Sequence, residues 1–318
     1  MADTRIAVLI PCYNEETTIK KVIEDFRTQF PEADIYVYDN NSSDRSVELA
    51  RNAGAIVRVE RLQGKGHVVR SMFLEVEANC YILVDGDDTY PAEEAHKLVK
   101  AVLEDGVDMA VGDRLSNGSY SSENKRPFHD LGNNLVLRVI NHLFHSDLKD
   151  IMSGYRAYSR RFVKNFPVLS PGFEIETEMT LHALDKNWVI REEPIAYRDR
   201  PQGSVSKLNT FSDGRKVLTT IFSIYKDYQP MRFFGTLSLV VCLLGILCGL
   251  PPIIDFIDYQ YVYHVPLAVL AAAIEMLAFN LLTCGIILDT ISKNNKRNYR
   301  LQLLHETELA ASAEKGGS

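Results

Sequence analysis

The chain has 318 residues, of which 46% are apolar and 24% are charged, with 35 Lys and Arg against 42 Asp and Glu. The net charge of −7 and the ordinary apolar content exclude a disordered chain, a collagen-like chain and a generally basic nucleic-acid-binding protein. The length is enough for one large domain or two modest ones with a sizeable core.

Short apolar runs typical of β-strands alternate with helical patterns in the first third of the chain. Strands are predicted at 5–10, 34–39, 55–60, 80–85 and 108–113, and helices at 17–30, 43–53, 66–78 and 91–104. Ser43 is the predicted N-cap of the second helix, and Pro91 suits the first turn of the fourth. This alternation predicts an α/β fold with a mostly parallel sheet, helices on both faces, and ligands at the carboxyl ends of the strands.

Two nucleotide-binding motifs are excluded by the turns. The turn after the first strand reads PCYNEE (11–16) and has no glycines, so the G-x-G-x-x-G dinucleotide fingerprint is absent from its required position. The GKG sequence at 64–66 lacks the leading glycine and the Lys-Ser/Thr pair of a P-loop. An NAD(P)-dependent enzyme and a P-loop nucleotidase are therefore disfavoured.

A carboxylate stands at the end of the second strand, where Asp39 is followed by NNSSD (40–44). At a strand end it can accept hydrogen bonds from a nucleobase imide or a ribose. An Asx-turn with a helix cap at Ser43 or Asp44 would explain the neighbouring residues equally well, so both interpretations stay open here.

Three carboxylates in four residues follow the fourth strand: Asp85, Asp87 and Asp88. They repel one another, and a hard divalent cation that bridges phosphate oxygens would supply the counter-charge. Gly86 allows the backbone to turn so that Asp85 and Asp87 reach one site. A solvated acidic turn is the alternative, but the position at the end of the central strand favours a metal site.

Two apolar runs, 233–254 and 265–288, lie in a window from Phe233 to Ser292 that contains no Lys or Arg. Each run exceeds the roughly 20 residues that a helix needs to cross about 30 Å of hydrocarbon. Buried core helices of this length normally carry a polar stripe. We therefore expect a two-helix transmembrane hairpin within residues 233–290.

The flanking charges predict the orientation of this hairpin. Lys226 and Arg232 precede it, basic residues follow it from Lys293 to Arg300, and the connector 255–264 has two Asp, three Tyr and no Lys or Arg. The positive-inside rule places both termini in the cytoplasm and the connector outside. The start of the chain shows no signal-peptide pattern and the cysteines show no Cys-x-x-Cys spacing, which agrees with a cytoplasmic location of the residues before the hairpin.

The predicted domain organisation is a cytoplasmic α/β domain at 1–209, an amphipathic juxtamembrane segment at 210–232, the hairpin, and a basic then polar cytoplasmic tail at 291–318. The segment 210–232 favours a membrane-surface helix over a packed one. Glu275 and Asn280 lie within the second span. They favour helix packing or a subunit contact, as in a homo-oligomer, over a transport role.

The motifs together resemble the family 2 glycosyltransferases of GT-A fold. The matching segments, in order and spacing, are VLIPCYNE (8–15), DNNSSD (39–44), GKG (64–66) and DGDD (85–88). The second half is similar to the dolichyl-phosphate mannose synthase branch of polyprenyl-phosphate glycosyltransferases, in DIMSGYR (150–156), GFEIE (172–176), and Arg200 with GSVSKL (203–208). The resemblance covers about residues 5–210, and the paired apolar runs match the membrane-anchored bacterial and archaeal members.

The resemblance implies roles for individual residues. The nucleotide sugar would contact Pro11, Tyr13, Glu15, Asp39, Lys65 and Asp85. The metal would be bound by Asp87 and Asp85, and the reacting centre would contain Asp87, Asp150 and Lys65. Asp150 would be either a base or an orienting residue. The acceptor phosphate would be bound by Arg200 and Lys207, with Arg126 and Arg114 added for their nearness to the acceptor region.

Two departures from the family pattern narrow the expectation. Many relatives have D-D-G-S where this chain has DNNS (39–42), so one acidic contact is missing. The only tryptophan, Trp188, lies outside any Q-x-x-R-W motif, which disfavours a processive synthase that extrudes a polysaccharide.

The implied reaction is an inverting transfer from a nucleotide sugar to undecaprenyl or dolichyl phosphate, with Mg²⁺ or Mn²⁺ as cofactor. UDP-glucose and UDP-N-acetylglucosamine are the expected donors, and the product would serve cell-envelope glycan or glycoprotein modification. Three alternatives stay open: a glycosyltransferase with another lipid acceptor such as a diacylglycerol, a catalytically silent membrane scaffold, and a transporter.

Overall fold

The computed structural model describes residues 4–116, 127–172, 174–198 and 213–316. The chain divides into two compact units, an N-terminal unit of Met1–Asp213 and a C-terminal unit of Gly214–Ser318. Within the described residues, all strands belong to the N-terminal unit.

The first half of the N-terminal unit alternates strands and helices. Its elements are β1 Ile6–Cys12, α1 Ile19–Gln29, β2 Asp34–Asp39, α2 Ser46–Asn52, β3 Ile56–Val59, α3 Lys65–Glu75, β4 Cys80–Leu83, a 3₁₀ helix Ala92–Glu94, α4 Ala95–Leu103 and β5 Met109–Asp113. The second half contains α5 Pro127–Phe144, β6 Arg156–Ser159, α6 Arg160–Asn165, α7 Ile175–Lys186 and β7 Ile190–Pro194. The five predicted strands and four predicted helices are all present, with their ends displaced by up to about one helical turn.

The seven strands form one sheet in the order β3-β2-β1-β4-β6-β5-β7. β1 pairs in parallel with β2 and β4, and β7 pairs in parallel with β5. β6 lies antiparallel between β4 and β5. The prediction of a mostly parallel α/β sheet is confirmed, and the inserted antiparallel strand has no counterpart in the sequence prediction.

Alternating residues of the central strands pack against helices on the two faces of the sheet. Val8 and Ile82 belong to the core cluster that includes Ile23 and Phe26 of α1. On the other face, Phe73 of α3 lies 6.5 Å from the ring of Tyr81. Since successive residues of a strand point to opposite faces, both faces of the sheet are apolar here, and β4 is buried along its whole length.

The predicted cap at Ser43 is wrong. Helix α2 begins at Ser46, and its N-cap residue is Arg45, which makes no side-chain capping bond. Asp44 accepts the backbone N–H of Ser46 at 2.9 Å instead, while the Ser43 N–H donates to Asn14 Oδ1 at 2.8 Å. The chain therefore uses Ser43 to join two turns. The prediction that Pro91 lies in the first turn of the fourth helix is also wrong, because the 3₁₀ helix Ala92–Glu94 separates Pro91 from α4.

The C-terminal unit consists of α8 Asp213–Tyr228, α9 Pro230–Tyr259 and α10 Val265–Gly316. α9 and the part of α10 from Val265 to His305 are long and apolar enough to cross a membrane, with mean hydropathies of 2.5 and 2.1 in their most apolar windows. Only 17% and 11% of those windows are buried. An apolar surface of this extent is typical of contact with lipid or with another protein.

The helices are longer than the predicted spans. α9 ends at Tyr259, so Asp255 lies within a helix and the connector shortens to residues 260–264. The Asp255 carboxylate accepts the backbone N–H groups of Tyr263 and His264 at 2.9 and 3.0 Å. α10 continues without a break into the region predicted as a tail. Between the helices, the Ser238 hydroxyl donates to the Ala278 carbonyl at 2.7 Å.

Candidate active site

The carboxyl ends of β1, β2 and β4 meet at one edge of the sheet. Cys12 of β1 is paired in register with Asp39 of β2, and the Val84 N–H donates to the Leu9 carbonyl at 3.1 Å. The parallel register therefore brings the turns at 11–16, 39–44 and 85–88 together. Polar side chains that are far apart in sequence share this edge, as expected for a ligand site in such a sheet.

Asp39 presents an open acceptor at this edge. The residue is only 4% exposed, and its Oδ2 accepts the Ser42 N–H at 3.2 Å. Its Oδ1 is buried and has no hydrogen-bond partner among the described residues. A buried carboxylate oxygen without a partner is costly, so this atom is suited to accept a hydrogen bond from a ligand.

The turn after β1 is tied to the turn after β2. Asn14 has a positive φ of 52°, and its N–H donates to the Ser42 hydroxyl at 2.9 Å. The Glu15 N–H donates to the Ser46 hydroxyl at 2.8 Å. These bonds fix the backbone around Tyr13, whose side chain is exposed beside half-buried Pro11. An exposed aromatic ring on a fixed turn is suited to stack on a planar base.

The three carboxylates of the acidic turn after β4 contact different partners, which reduces the repulsion among them. Asp88, at a positive φ of 59°, receives the Lys21 ammonium at 2.7 Å, away from its neighbours. Asp87 is buried and accepts the Thr89 hydroxyl at 2.6 Å. The Thr18 hydroxyl donates to the Gly86 carbonyl at 2.7 Å and fixes the turn against α1. Asp85 and Asp87, on either side of Gly86, are the two carboxylates of this turn that do not bind Lys21.

The donor set of this turn fits a divalent cation that also takes oxygen atoms from a substrate. Asp85 and Asp87 offer hard carboxylate oxygens and are separated by one glycine. Within the part of the chain that the structure describes, no three His, Cys, Asp or Glu side chains gather as a complete metal cage. One or two carboxylates completed by phosphate oxygens is the set that Mg²⁺ commonly uses at nucleotide sites.

Lys65 is buried between two carboxylates. Its ammonium lies 2.6 Å from Asp85 Oδ1 and 2.5 Å from Glu176 Oε1. Burial alone would lower the pKa of Lys65, but the attraction of Asp85 and Glu176 outweighs it and raises the pKa above its usual value. Lys65 is therefore a fixed cation at neutral pH. Glu176 lies in the GFEIE motif (172–176), but its contact with Lys65 was not expected from the sequence.

The glycines of the GKG turn are required by a close backbone approach. Gly64 has a φ of 137°, and a Cβ there would lie 2.1 Å from the Pro171 carbonyl oxygen. A Cβ at Gly66 would lie 1.8 Å from the Ser170 carbonyl oxygen. Only glycine allows the first turn of α3 to lie on this segment, and that contact places Lys65 at Asp85.

Asp150 and Arg114 form a bidentate ion pair. The Arg114 Nε lies 2.6 Å from Asp150 Oδ2, and Nη2 lies 2.9 Å from Oδ1. The Tyr90 hydroxyl accepts the Gly154 N–H at 3.1 Å and lies 3.4 Å from Arg114 Nη1. The predicted Asp150 and Arg114 are thus brought together, and Tyr90 connects them to the acidic turn.

Glu192 supports this pair and was not found from the sequence. Its carboxylate accepts the backbone N–H groups of Lys149 and Asp150, each at 2.8 Å. Burial raises the pKa of Glu192, partly opposed by these two hydrogen bonds. A glutamate in a strand gives no local signal for such a contact, which depends on the pairing of β7 with β5.

The Glycosyl transferase family 2 model matches residues 7–166, which contain the three carboxylate-bearing turns, the GKG turn and Asp150. The chain belongs to this family. The family expected from the motifs is confirmed, and the protein is a glycosyltransferase.

The glycosyltransferase is similar to two proteins of Haloferax volcanii. It is 31% identical to Glycosyltransferase AglJ over 90% of this chain and 93% of that protein. It is 30% identical to a Dolichyl-phosphate hexose transferase over 69% of this chain and 93% of that protein. It is also 27% identical to a Dolichol-phosphate mannosyltransferase of Pyrococcus furiosus, over 74% of this chain and 66% of that protein.

The fold of the glycosyltransferase matches solved structures. Glucosyl-3-phosphoglycerate synthase from Mycobacterium tuberculosis, in complex with Mn²⁺, UDP and glucosyl-3-phosphoglycerate, superimposes with a TM-score of 0.56 and covers 71% of this chain and 80% of that chain. The sequence identity is 18%, so the likeness concerns the fold. The expected GT-A fold is confirmed.

The structure brings together most of the predicted site residues. Those at the shared edge or connected to it through described contacts are Pro11, Tyr13, Glu15, Asp39, Lys65, Asp85, Asp87, Arg114 and Asp150. Three predicted acceptor cations, Arg126, Arg200 and Lys207, lie outside the described residues. Of the predicted acceptor cations, the described part of the glycosyltransferase therefore contains Arg114.

Proposed function

We propose that this glycosyltransferase transfers a hexose from a UDP-sugar to a polyprenyl phosphate with the help of Mg²⁺ or Mn²⁺. The observation that carries the proposal is the Arg114 guanidinium, fixed by Asp150 and connected through Tyr90 to the acidic turn. A fixed guanidinium is suited to a phosphate monoester and has no evident use for an uncharged hydroxyl acceptor. A relative named Dolichyl-phosphate hexose transferase supports the same class of acceptor.

The donor side of the proposal rests on the first two turns. Asp39 Oδ1 would accept a hydrogen bond from the imide of uracil or from the ribose, and the Tyr13 ring would stack on the base. Pro11 and Glu15 shape the same turn. The fold relative from Mycobacterium tuberculosis was solved with UDP, which supports uridine as the base. UDP-glucose and UDP-N-acetylglucosamine are the proposed donors.

Asp87 and Asp85 would hold the metal, together with diphosphate oxygens. When bound, the metal would neutralise the charge that develops on the departing nucleoside diphosphate. Lys65, held beside Asp85, would add a second positive charge to the same diphosphate. The Mn²⁺ in the solved fold relative supports this cofactor class.

The proposed attack needs an oriented acceptor more than a base. The second pKa of a phosphate monoester is about 6, so the acceptor is mostly dianionic at neutral pH and one of its oxygens can attack the anomeric carbon directly. Both oxygens of Asp150 are occupied by Arg114, which favours an orienting role for this carboxylate. Attack from the face opposite the leaving group would invert the configuration.

The C-terminal unit would hold the enzyme at the lipid. α9 and α10 would cross the membrane as a hairpin, with the N-terminal unit, α8 and both chain ends on the cytoplasmic side. α8, whose sequence mixes apolar and basic residues, would lie at the membrane surface. A lipid-linked acceptor is concentrated in the plane of the membrane, so anchoring raises its effective concentration at the site.

The test is a transfer assay on membranes that contain the full chain. Labelled UDP-glucose, UDP-N-acetylglucosamine and other nucleotide sugars are incubated with undecaprenyl phosphate, dolichyl phosphate or a diacylglycerol, with and without EDTA. We expect label in the polyprenyl-phosphate lipid only, and its loss with EDTA and with Asp87→Ala. Label in the diacylglycerol, no label in any lipid, or an active Asp87→Ala variant would contradict the proposal.

A further inference from the structure

Glu176 is a buried carboxylate for which the proposed reaction has no direct use. It lies in the first turn of α7, is 5% exposed, and its Oε1 is 2.5 Å from the Lys65 ammonium. The backbone carbonyl of Glu176 accepts the Thr180 hydroxyl at 3.0 Å, so the residue is held in the helix. A buried carboxylate on a helix is a rigid counter-ion for Lys65.

Lys65 has two anionic partners that differ in exposure. The side chain of Asp85 is 31% exposed, whereas that of Glu176 is 6% exposed. Asp85 is therefore the partner that a ligand can reach, and Glu176 is the partner that stays with Lys65. The backbone of Gly154 lies against Asp85, where a Cβ would be 2.4 Å from Oδ2, so the Asp85 carboxylate is closely packed on that side.

We propose that Glu176 is a positioning residue: it remains the ion-pair partner of the Lys65 ammonium, and holds it in place, when Asp85 binds the divalent cation. The inference rests on the proposed function, in which Asp85 is a metal ligand and Lys65 faces the diphosphate. With Glu176 present, Lys65 can lose its ion pair with Asp85 and still have a carboxylate partner, so it does not become an unpaired buried charge. Glu176 thereby allows Lys65 and the metal to bind the same diphosphate.

The proposal has a specific consequence for metal affinity. Without the Glu176 charge, Asp85 becomes the single carboxylate partner of Lys65 among the contacts described, and the lysine then competes with the metal for it. An unpaired buried charge is strongly unfavourable. Lys65 should therefore hold its remaining carboxylate, Asp85, more strongly when Glu176 is uncharged. Glu176→Gln should therefore weaken metal binding through Lys65, and the effect should vanish when Lys65 is neutral.

The test is a double-mutant cycle on the full chain purified in detergent. The Kd for Mn²⁺ in the presence of UDP is measured by electron paramagnetic resonance for wild type, Glu176→Gln, Lys65→Met and the double variant K65M/E176Q. We expect Glu176→Gln to raise the Kd by about tenfold, and the double variant to bind Mn²⁺ within about threefold of Lys65→Met. Circular dichroism and thermal unfolding verify that each variant is folded.

Two further variants keep the result specific. Glu174→Gln makes the same chemical change at an exposed position beside α7 and should leave the Kd unchanged. Glu176→Asp keeps the charge and should restore most of the affinity lost in Glu176→Gln, which a general loss of packing would not do.

The outcomes separate the two proposals. A wild-type chain that binds no Mn²⁺ in the presence of UDP would overturn the proposed metal site, and this inference with it. A wild-type chain that binds Mn²⁺ while Glu176→Gln binds it equally well would overturn the role of Glu176 alone. An equal loss of affinity from Glu176→Gln in the wild-type and Lys65→Met backgrounds would reduce that role to a general charge effect and overturn it too.

Discussion

Arg114 and Asp150 form a planar two-point contact, with Nε 2.6 Å from Oδ2 and Nη2 2.9 Å from Oδ1. Asp150 is 4% exposed, and the backbone N–H of Met152 also donates to its Oδ1 at 3.2 Å. A carboxylate in this state accepts hydrogen bonds on both oxygens. Asp150 therefore fixes the direction of the Arg114 guanidinium, and the two residues should function together.

We expect Arg114→Lys to lower kcat/KM for the polyprenyl phosphate by about 100-fold, because an ammonium lacks the planar fork that Asp150 holds. Asp150→Asn should act in the same direction, since it leaves the guanidinium without its charge partner. The measurement is steady-state transfer with varied polyprenyl phosphate at saturating UDP-sugar.

The KM for the UDP-sugar provides the internal control for both variants and should stay within about twofold. If Asp150 were instead the catalytic base, Asp150→Asn would lower kcat at an unchanged KM for the acceptor, and Arg114→Lys would have little effect. That pattern would contradict the orienting role.

Asp39→Asn should weaken UDP binding by about tenfold, because an amide presents one acceptor oxygen where the carboxylate presents two, and loses its charge. Isothermal titration calorimetry with UDP measures the effect. Asp34→Asn is the matched control, since Asp34 begins the same strand and pairs with Arg5 on the surface. Equal UDP affinity in wild type and Asp39→Asn would remove Asp39 from the nucleotide site.

The site residues that could be predicted from sequence are those whose position depends on a single strand end or turn. Asp39 ends β2, and Asp85 and Asp87 come shortly after β4. The apolar runs of both strands are easy to recognise, and parallel strands place their carboxyl ends at one edge. The sheet therefore determines their proximity once its strands are known. The GKG turn was likewise visible, although nothing local indicates that it packs on Ser170 and Pro171.

The parts that could not be predicted depend on contacts across the fold. Lys65 meets Glu176 only because α3 and α7 come together at the site, and Glu192 reaches the Asp150 backbone only through β7. The antiparallel β6 was missed because its four residues are flanked by no hairpin signal. Ser43 was misassigned because Asx and Ser side chains in a turn have several competing backbone partners.

Gly66→Ala should destabilise the N-terminal unit by about 2–3 kcal/mol, because its Cβ would lie 1.8 Å from the Ser170 carbonyl oxygen and one of the two backbones must move. Trp188, the only tryptophan of the chain, reports the unfolding of this unit by fluorescence. Gly86→Ala is the control, since its Cβ would meet neighbours at 3.5 Å, an ordinary contact. Equal unfolding temperatures for both variants would contradict the tight turn.

His182 should make the N-terminal unit sensitive to acid. Burial lowers the pKa of His182 from 6.5 to about 4, and the nearby charge of Lys186 contributes. The histidine lies edge-on to the rings of Phe162 and Phe166. Because the folded pKa lies below the unfolded one, the unfolded chain binds a proton first as the pH falls, so stability is complete above about pH 6.5 and is lost toward pH 4.

His182→Gln removes this proton linkage. The unfolding temperature of wild type, measured by Trp188 fluorescence in detergent, should fall more steeply than that of the variant between pH 6.5 and 4, by an amount equivalent to at most about 3 kcal/mol. Both chains share the acid sensitivity of their carboxylates, which cancels in the comparison. Parallel curves across this range would show that His182 charges freely in the folded protein.

The proposed hairpin places the connector between α9 and α10 outside the cell and the end of α10 inside. A variant without native cysteines, carrying Tyr261→Cys, should react with a membrane-impermeant maleimide added to intact cells. Tyr261 is 62% exposed, so the thiol is not hidden by the protein. The basic residues from Lys293 to Arg300 should hold the far end in the cytoplasm.

The matched variant carries Leu301→Cys, at a position on α10 that is 57% exposed. It should react only after the membrane is permeabilised, because the positive charges before it keep that end of α10 inside. Labelling of Leu301→Cys in intact cells, with protection of Tyr261→Cys, would invert the hairpin and place the N-terminal unit away from a cytoplasmic UDP-sugar. Labelling of both in intact cells would show that the two helices do not cross the membrane as a pair.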